Sequence, residues 1–187
     1  MILAALKNAF VKLKLASHNI VICHDIGCSG NMADFIKTYG IHTLHGRVIP
    51  IATGVKIANP NLTVCCFGGD GGVYGEGLNH LIAAARTNMT INVFVADNQL
   101  YSLTTGQASP TTPKGAKTKS TPFGTPGIPI DAVKLVKTVN PAVFAQKVKA
   151  ENIKKLNLAI LQALKHSGFS LLEIQQECLA FGKQLKS

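Results

Sequence analysis

Two unbroken apolar runs, joined by a glycine turn and a helix, constrain this chain most. Residues 62–67 (Leu-Thr-Val-Cys-Cys-Phe) and 91–96 (Ile-Asn-Val-Phe-Val-Ala) each have the length of a strand buried on both faces, and helical periodicity fills about 77–87 between them. Strand, helix and strand, with continuous rather than alternating apolar character, make a parallel βαβ unit. The first run opens into Gly69-Asp70-Gly71-Gly72 and the second into Asp97-Asn98-Gln99. Neighbouring parallel strands end side by side, so Asp70 and Asn98 are expected together, as two hard oxygen ligands of the kind that hold Mg²⁺ and, through it, a phosphorylated ligand. The glycines let the backbone approach phosphates and offer N–H groups to them. Gly-Asp-Gly alone is a common turn; Asn98 at the end of the next strand is what makes the pair telling.

The rest of the chain extends the same pattern. Residues 2–16 read as an amphipathic helix, 20–23 as a short buried strand, and 24–30 as a glycine-punctuated loop. A helix is expected from about Asn31 to Gly40, and another from Arg47 to Ala58, stopped by Asn59-Pro60. Residues 100–129 dissolve into Thr, Pro, Gly, Ser and Lys, a loop long enough to be functional rather than idle. Helical periodicity returns at about 130–138 and 151–166, and residues 169–174 form a last strand leading to Cys178. The expectation is an α/β fold, an open, mainly parallel sheet with helices on both faces, as one domain over residues 1–187.

Composition removes several function classes. A 47% apolar content supports a globular core, but no run of roughly 18 apolar residues exists for a membrane span. The first ten residues lack a charged region ahead of the apolar part and read as a helix rather than a signal peptide, so a cytoplasmic protein is expected. The formal charge of +10 comes from scattered lysines without aromatic interleaving, which favours an acidic protein partner over nucleic acid. Five cysteines without a Cys-x-x-Cys predict no disulfide framework, with Cys65 and Cys66 as small core residues. Cys23, Cys28, His42 and His45 approach a zinc pattern, but the histidine spacing is too short and Cys23 sits in a strand. The dinucleotide fingerprint fails at Tyr74, and no phosphate-loop motif of the Gly-Lys-Ser/Thr type is present.

Gly69-Asp70-Gly71 followed by Asn98 fits the thiamine-diphosphate motif. Around it, Ile26-Gly-Cys-Ser-Gly30, His45-Gly46-Arg47, Ala52-Thr-Gly-Val-Lys56, Asn79-His80, Tyr101-Ser-Leu-Thr-Thr-Gly-Gln107 and Ser109-Pro-Thr-Thr-Pro-Lys-Gly115 run in the order seen in one family. From about residue 18 to residue 130 the chain resembles the β subunit of 2-oxoacid:ferredoxin oxidoreductases. The resemblance implies that Asp70 and Asn98, with the carbonyl of Leu100, bind Mg²⁺. It implies that Ile26, Gly27, Cys28, Ser29, His45, Gly69, Gly71, Gly72 and Thr104 line the thiamine diphosphate. An α subunit would cover the pyrimidine end. The implied reaction is oxidative decarboxylation of a 2-oxoacid with coenzyme A, with electrons leaving through a [4Fe–4S] cluster to ferredoxin. The cofactor's ylid carries the chemistry, so no side chain is assigned as catalytic; His45 and Arg47 are candidate contacts. Tyr101 to Gln107 resembles the 2-oxoglutarate and broad 2-oxoacid members, with Leu103 and Thr105 at positions that face the substrate.

The chain departs from the family in three places. Cys28 and Cys178 match two cluster ligands, but the Cys-Pro-x-Cys motif that supplies the other two is not in this sequence. The carboxyl end stops short of the usual family length. Gly72 stands where many relatives have a second Asp. Two alternatives therefore stay open beside the oxidoreductase: a truncated, redox-inactive remnant subunit, and a cluster-free thiamine-diphosphate decarboxylase or synthase. The last has no reason to keep Gly27-Cys28-Ser29 or the loop from Gln107 to Gly115.

Overall fold

A computed structural model describes residues 1–186. In chain order its elements are α1 (Ile2–Lys12), β1 (Ile20–His24), β2 (Tyr39–His42), α2 (Val48–Ala58), β3 (Thr63–Gly69), α3 (Leu78–Arg86), β4 (Asn92–Asp97), β5 (Leu100–Tyr101), β6 (Gln107–Ala108), α4 (Ala132–Val139), β7 (Phe144–Lys149), α5 (Ile153–Lys165) and β8 (Ser170–Gln175). Six of the strands form one sheet in the order β2-β1-β3-β4-β8-β7, every pair parallel; β5 and β6 form a separate antiparallel hairpin.

Alternation along the strands divides the core in two. Val21, Cys23, Val64, Cys66, Val93, Val95 and Leu171 point to a layer built by α2, α3 and α4. Ile20, Ile22, Cys65, Phe67, Phe94, Leu172 and Ile174 point to the other, built by α1 and α5. Strands β1 and β4 are buried along their whole length because both faces are covered, which is why they read as continuous apolar runs. Side chains mark where α4 and α5 begin: Asp131 and Asn152 each accept the backbone N–H three residues on, at 3.1 Å. Among the described residues no helix is long and apolar enough to cross a membrane.

The structure corrects three of the sequence expectations. The helix expected from Asn31 to Gly40 is a short 3₁₀ segment, Gly30–Phe35, followed by the edge strand β2, in which Gly40 pairs with Ile22. All four β2 residues are exposed, so no buried apolar face announces a strand, and Gly40 has the look of a helix stop. Strand β7 was not anticipated. It is the opposite edge, half exposed and carrying Lys147 and Lys149, a composition that blunts an edge and reads as loop. Helix α1 also ends earlier than residue 16, where Lys14 turns to φ 53°.

Candidate functional site

The strand order places the site. From β1 the chain moves outward to β2, then crosses to β3 on the other side of β1, so connections leave β1 and β3 in opposite directions. The crevice beyond the carboxyl ends of such a pair is where open α/β sheets bind ligands. Here it is a cavity of about 730 Å³, lined by the residues just after β1 (Ile26 to Ser29), after β3 (Asp70 to Gly72) and after β4 (Asn98, Leu100). His45, Leu103 and Thr104 also line it. Arg47 and Thr105 do not. Arg47 Nη1 donates to the Glu76 carbonyl at 3.0 Å, and the Thr105 hydroxyl is 2.6 Å from Lys119 Nζ.

Between β3 and α3 the chain makes a π-helical turn, Gly71–Glu76, that starts at Asp70. The turn is glycine-rich because its neighbours occupy the space that side chains would need. A Cβ on Gly71 would overlap the ring of Tyr101, and one on Gly72 would overlap the carboxylate of Asp25. The Tyr101 hydroxyl donates to the Gly71 carbonyl at 3.1 Å. Ser29 Oγ is 3.8 Å from where a Cβ on Gly69 would sit. A bare backbone with a hydroxyl beside it suits a diphosphate.

Asp70 is 2% exposed, and burial followed by the charge of Asp97 pushes its carboxyl up to about 6, against hydrogen bonds from Ser109 and Thr111. The Thr111 hydroxyl is 2.8 Å from Asp70 Oδ2 and 2.8 Å from Asp97 Oδ1. A hydroxyl has one proton to donate, so the second contact needs a proton from one of the carboxyl groups or a cation that relieves the pair. Asp97 is raised too, chiefly by burial. Asp97 Oδ1 accepts the Gln99 N–H and Asn98 Oδ1 the Leu100 N–H, both at 3.0 Å, through a turn in which Gln99 takes φ 63°. The Thr112 hydroxyl locks the turn by donating to the Gln99 carbonyl at 2.6 Å. Asp70 and Asn98 thus reach one cavity from adjacent strands, with oxygen atoms suited to a hard cation.

In the sequence Ser109, Thr111 and Thr112 stand out only as part of a motif. Their role was readable only as an excess of hydroxyls in the long loop, since it depends on contacts 41 and 14 residues away. A deeper acid, Glu173 on β8, was missed. It is 1% exposed, takes the Tyr74 hydroxyl at 3.1 Å and lies 3.3 Å from Lys147 Nζ, which also meets Asp131 at 3.1 Å. One acid in a strand read as apolar gave no sign of this.

Of the two cysteines matched to a cluster, Cys28 is exposed on the cavity lining and Cys178 lies in an adjoining pocket with Asn98 and Glu177. Partial burial pushes the Cys178 thiol up, but the Ser102 hydroxyl and the N–H groups of Phe181, Ala180 and Gly182 more than offset this and bring it below its ordinary value. The Phe181 N–H donates to Sγ at 3.3 Å. Among the described residues no group of three or more His, Cys, Asp or Glu side chains could hold a metal ion. Cys23, Cys65 and Cys66 are buried in β1 and β3.

Residues 25–174, which include the segments after β1, β3 and β4 that line the cavity, match the family described as thiamine pyrophosphate enzyme, C-terminal TPP binding domain. The chain belongs to this family. Its TPP-binding domain is similar to the 2-oxoacid:ferredoxin oxidoreductase subunit beta of a Sulfolobus species, 40% identical over 95% of this chain and 58% of the relative. It is similar also to the 2-oxoglutarate synthase subunit KorB of Archaeoglobus fulgidus, 39% identical over 90% of this chain and 62% of the relative. A solved structure, the 2-oxoglutarate:ferredoxin oxidoreductase of Magnetococcus marinus with 2-oxoglutarate, coenzyme A and succinyl-CoA bound, superposes with a TM-score of 0.93 at 33% identity, covering 96% of this chain and 62% of that one. The chain therefore spans about three fifths of the length of these relatives.

Proposed function

We propose that this chain is the cofactor-binding part of the β subunit of a 2-oxoacid:ferredoxin oxidoreductase. It carries Mg²⁺ and thiamine diphosphate for the coenzyme A-dependent oxidative decarboxylation of a 2-oxoacid, 2-oxoglutarate or a pyruvate-like acid, with ferredoxin as acceptor. The observation that carries the reading is one cavity, at the switch point of the sheet, that gathers Asp70, Asn98 and a glycine turn barred to side chains.

When bound, thiamine diphosphate supplies the carbanion chemistry of decarboxylation. The residues of this chain bind and orient it. Asp70, Asn98 and the Leu100 carbonyl would hold Mg²⁺; Asn98 Oδ1 keeps a second lone pair while it accepts from Leu100. The N–H groups of the turn from Gly69 to Gly72, with Ser29, would hold the diphosphate. Ile26, Phe67 and Leu103 give the cavity an apolar wall, where Leu103 would face the substrate with Thr104 beside it. Phe35 and Leu179, 64% and 96% exposed on the cavity lining, are apolar surface that an α subunit would cover. The +10 charge suits an acidic partner such as ferredoxin.

The test is the chain assembled with its partner subunit, supplied with Mg²⁺ and thiamine diphosphate, and assayed for reduction of methyl viologen that depends on a 2-oxoacid and coenzyme A. Turnover with the wild type and loss of cofactor binding in Asp70→Ala are expected; unchanged affinity in that variant would overturn the site.

Cys28 and Cys178 would supply two of the four thiolates of a [4Fe–4S] cluster. Iron and sulfide analysis of the assembled complex, read beside turnover, tests for that cluster.

A further inference from the structure

A carboxylate that no motif accounts for reaches the cavity wall from β1. Asp25 is fully buried, and its Oδ1 accepts the Gly46 N–H at 2.9 Å. Its Oδ2 has no hydrogen-bond partner among the described residues. Facing it is the imidazole of His45, whose Nδ1 lies 3.7 Å from Asp25 Oδ1 and is likewise buried and unpartnered. Leaving such groups unpaired is costly, so a small ring rotation that gives Nδ1 the carboxylate as its acceptor is favoured.

Three segments converge to make the pair. Gly46, at φ 69°, turns the chain so that its N–H meets Asp25 while the preceding side chain swings over the same carboxylate. Gly72 has no Cβ, and one built there would overlap Asp25 Oδ2 and lie 2.8 Å from His45 Nδ1. On the outer side, His45 Nε2 is 3.7 Å from Glu76 Oε1, and the Tyr101 ring stands edge-on with centroids 6.3 Å apart. Arg47 turns away to the Glu76 carbonyl. The titratable groups that face His45 are therefore Asp25, Glu76 and Tyr101, and His45 lines the cavity beside Gly71 and Gly72.

We propose that Asp25 is the positioning residue for His45: its carboxylate takes the Nδ1–H, fixes the neutral ring in that tautomer, and leaves Nε2 as the nitrogen that exchanges a proton with a ligand in the cavity. A rotation of the ring that closes the gap by about 1 Å brings Nδ1 into hydrogen-bond range. A carboxylate behind a histidine selects the tautomer in the same way wherever the two meet. Burial raises the Asp25 carboxyl, and the charge of Glu76 adds to this; the Ile26 and Gly46 N–H groups and then the charge of His45 oppose it. The role in turnover rests on the thiamine-diphosphate reading; the pairing itself does not.

The experiment is ¹⁵N NMR of histidine-labelled full chain, without cofactor, followed by kinetics of the assembled complex. In the wild type the neutral His45 ring should carry its proton on Nδ1. Asp25→Asn keeps an acceptor for the Gly46 N–H but can present an amide donor to Nδ1, so the ring should switch to the Nε2–H tautomer. In the complex, Asp25→Asn should lower kcat about 10²- to 10³-fold, with thiamine diphosphate affinity within about threefold of wild type. Combining it with His45→Asn should cost little more than either change alone. A wild-type ring protonated mainly on Nε2 would overturn the pairing without any variant having to fold, and an unchanged tautomer in Asp25→Asn would do the same. Failure of the wild type to bind thiamine diphosphate would instead remove the proposed function and leave the tautomer result standing.

Discussion

The carboxylate of Asp25 occupies the space that a side chain at Gly72 would fill. The two residues lie 47 positions apart, one after β1 and the other in the turn after β3, and each fixes what the other can be. Gly72→Ala should therefore push Asp25 off its bond to the Gly46 N–H or displace the turn, with a stability loss of about 1–3 kcal/mol, as for overpacked cores. Urea unfolding measures the loss. Binding of Mg²⁺ and thiamine diphosphate should weaken alongside it, because the same turn lines the cavity.

This pair also shows why the sequence could be read only so far. The βαβ unit, Asp70 and Asn98 were legible because each depends on local pattern: strand length, a glycine turn, and the rule that adjacent parallel strands end together. The family resemblance marks Gly72 as a departure, yet the carboxylate that leaves it no room for a side chain is Asp25, just past the end of β1. The same holds for Thr111 on Asp70 and for Lys147 on Glu173, contacts over 41 and 26 residues that leave no periodic trace. Strands β2 and β7 escaped notice because edge strands are exposed, and exposure removes the apolar signal on which strand reading depends.

Asp70→Asn should abolish Mg²⁺-dependent binding of thiamine diphosphate. The carboxylate is the one charged side chain among the proposed metal ligands, and an amide keeps the shape but not the charge that a hard cation requires. The loss, read by calorimetric titration, should exceed the roughly 10- to 100-fold cost typical of outer-shell changes at metal sites. Near-wild-type affinity would move the metal elsewhere.

Thr111→Val removes the hydroxyl between two buried carboxyl groups while keeping the shape of the side chain. Asp70 and Asp97 would then face each other without the bridge, and Asp70 would lose one of the hydrogen bonds that favour its ionised form. Cofactor titration should show Mg²⁺ affinity falling about 10- to 100-fold. Thr111→Ser, which retains the hydroxyl, should stay close to wild type.

Glu173 predicts how stability follows pH. Burial, then the charge of Asp97, raises its carboxyl from 4.5 to about 6, only partly opposed by Lys147 and Tyr74. An acid whose folded value is raised holds its proton more tightly in the folded chain. Its contribution is fully favourable below about 4.5 and is lost as pH rises through 6. In Glu173→Gln the amide oxygen can still accept from Tyr74, and Lys147 keeps Asp131 at 3.1 Å. The variant should therefore be more stable than wild type at pH 7 by on the order of 1–2 kcal/mol, with the difference vanishing near pH 4.5. Urea midpoints at a series of pH values, taken on cofactor-free protein, check this. A variant less stable than wild type at pH 7 would show that the Lys147 ion pair outweighs the burial of the charge.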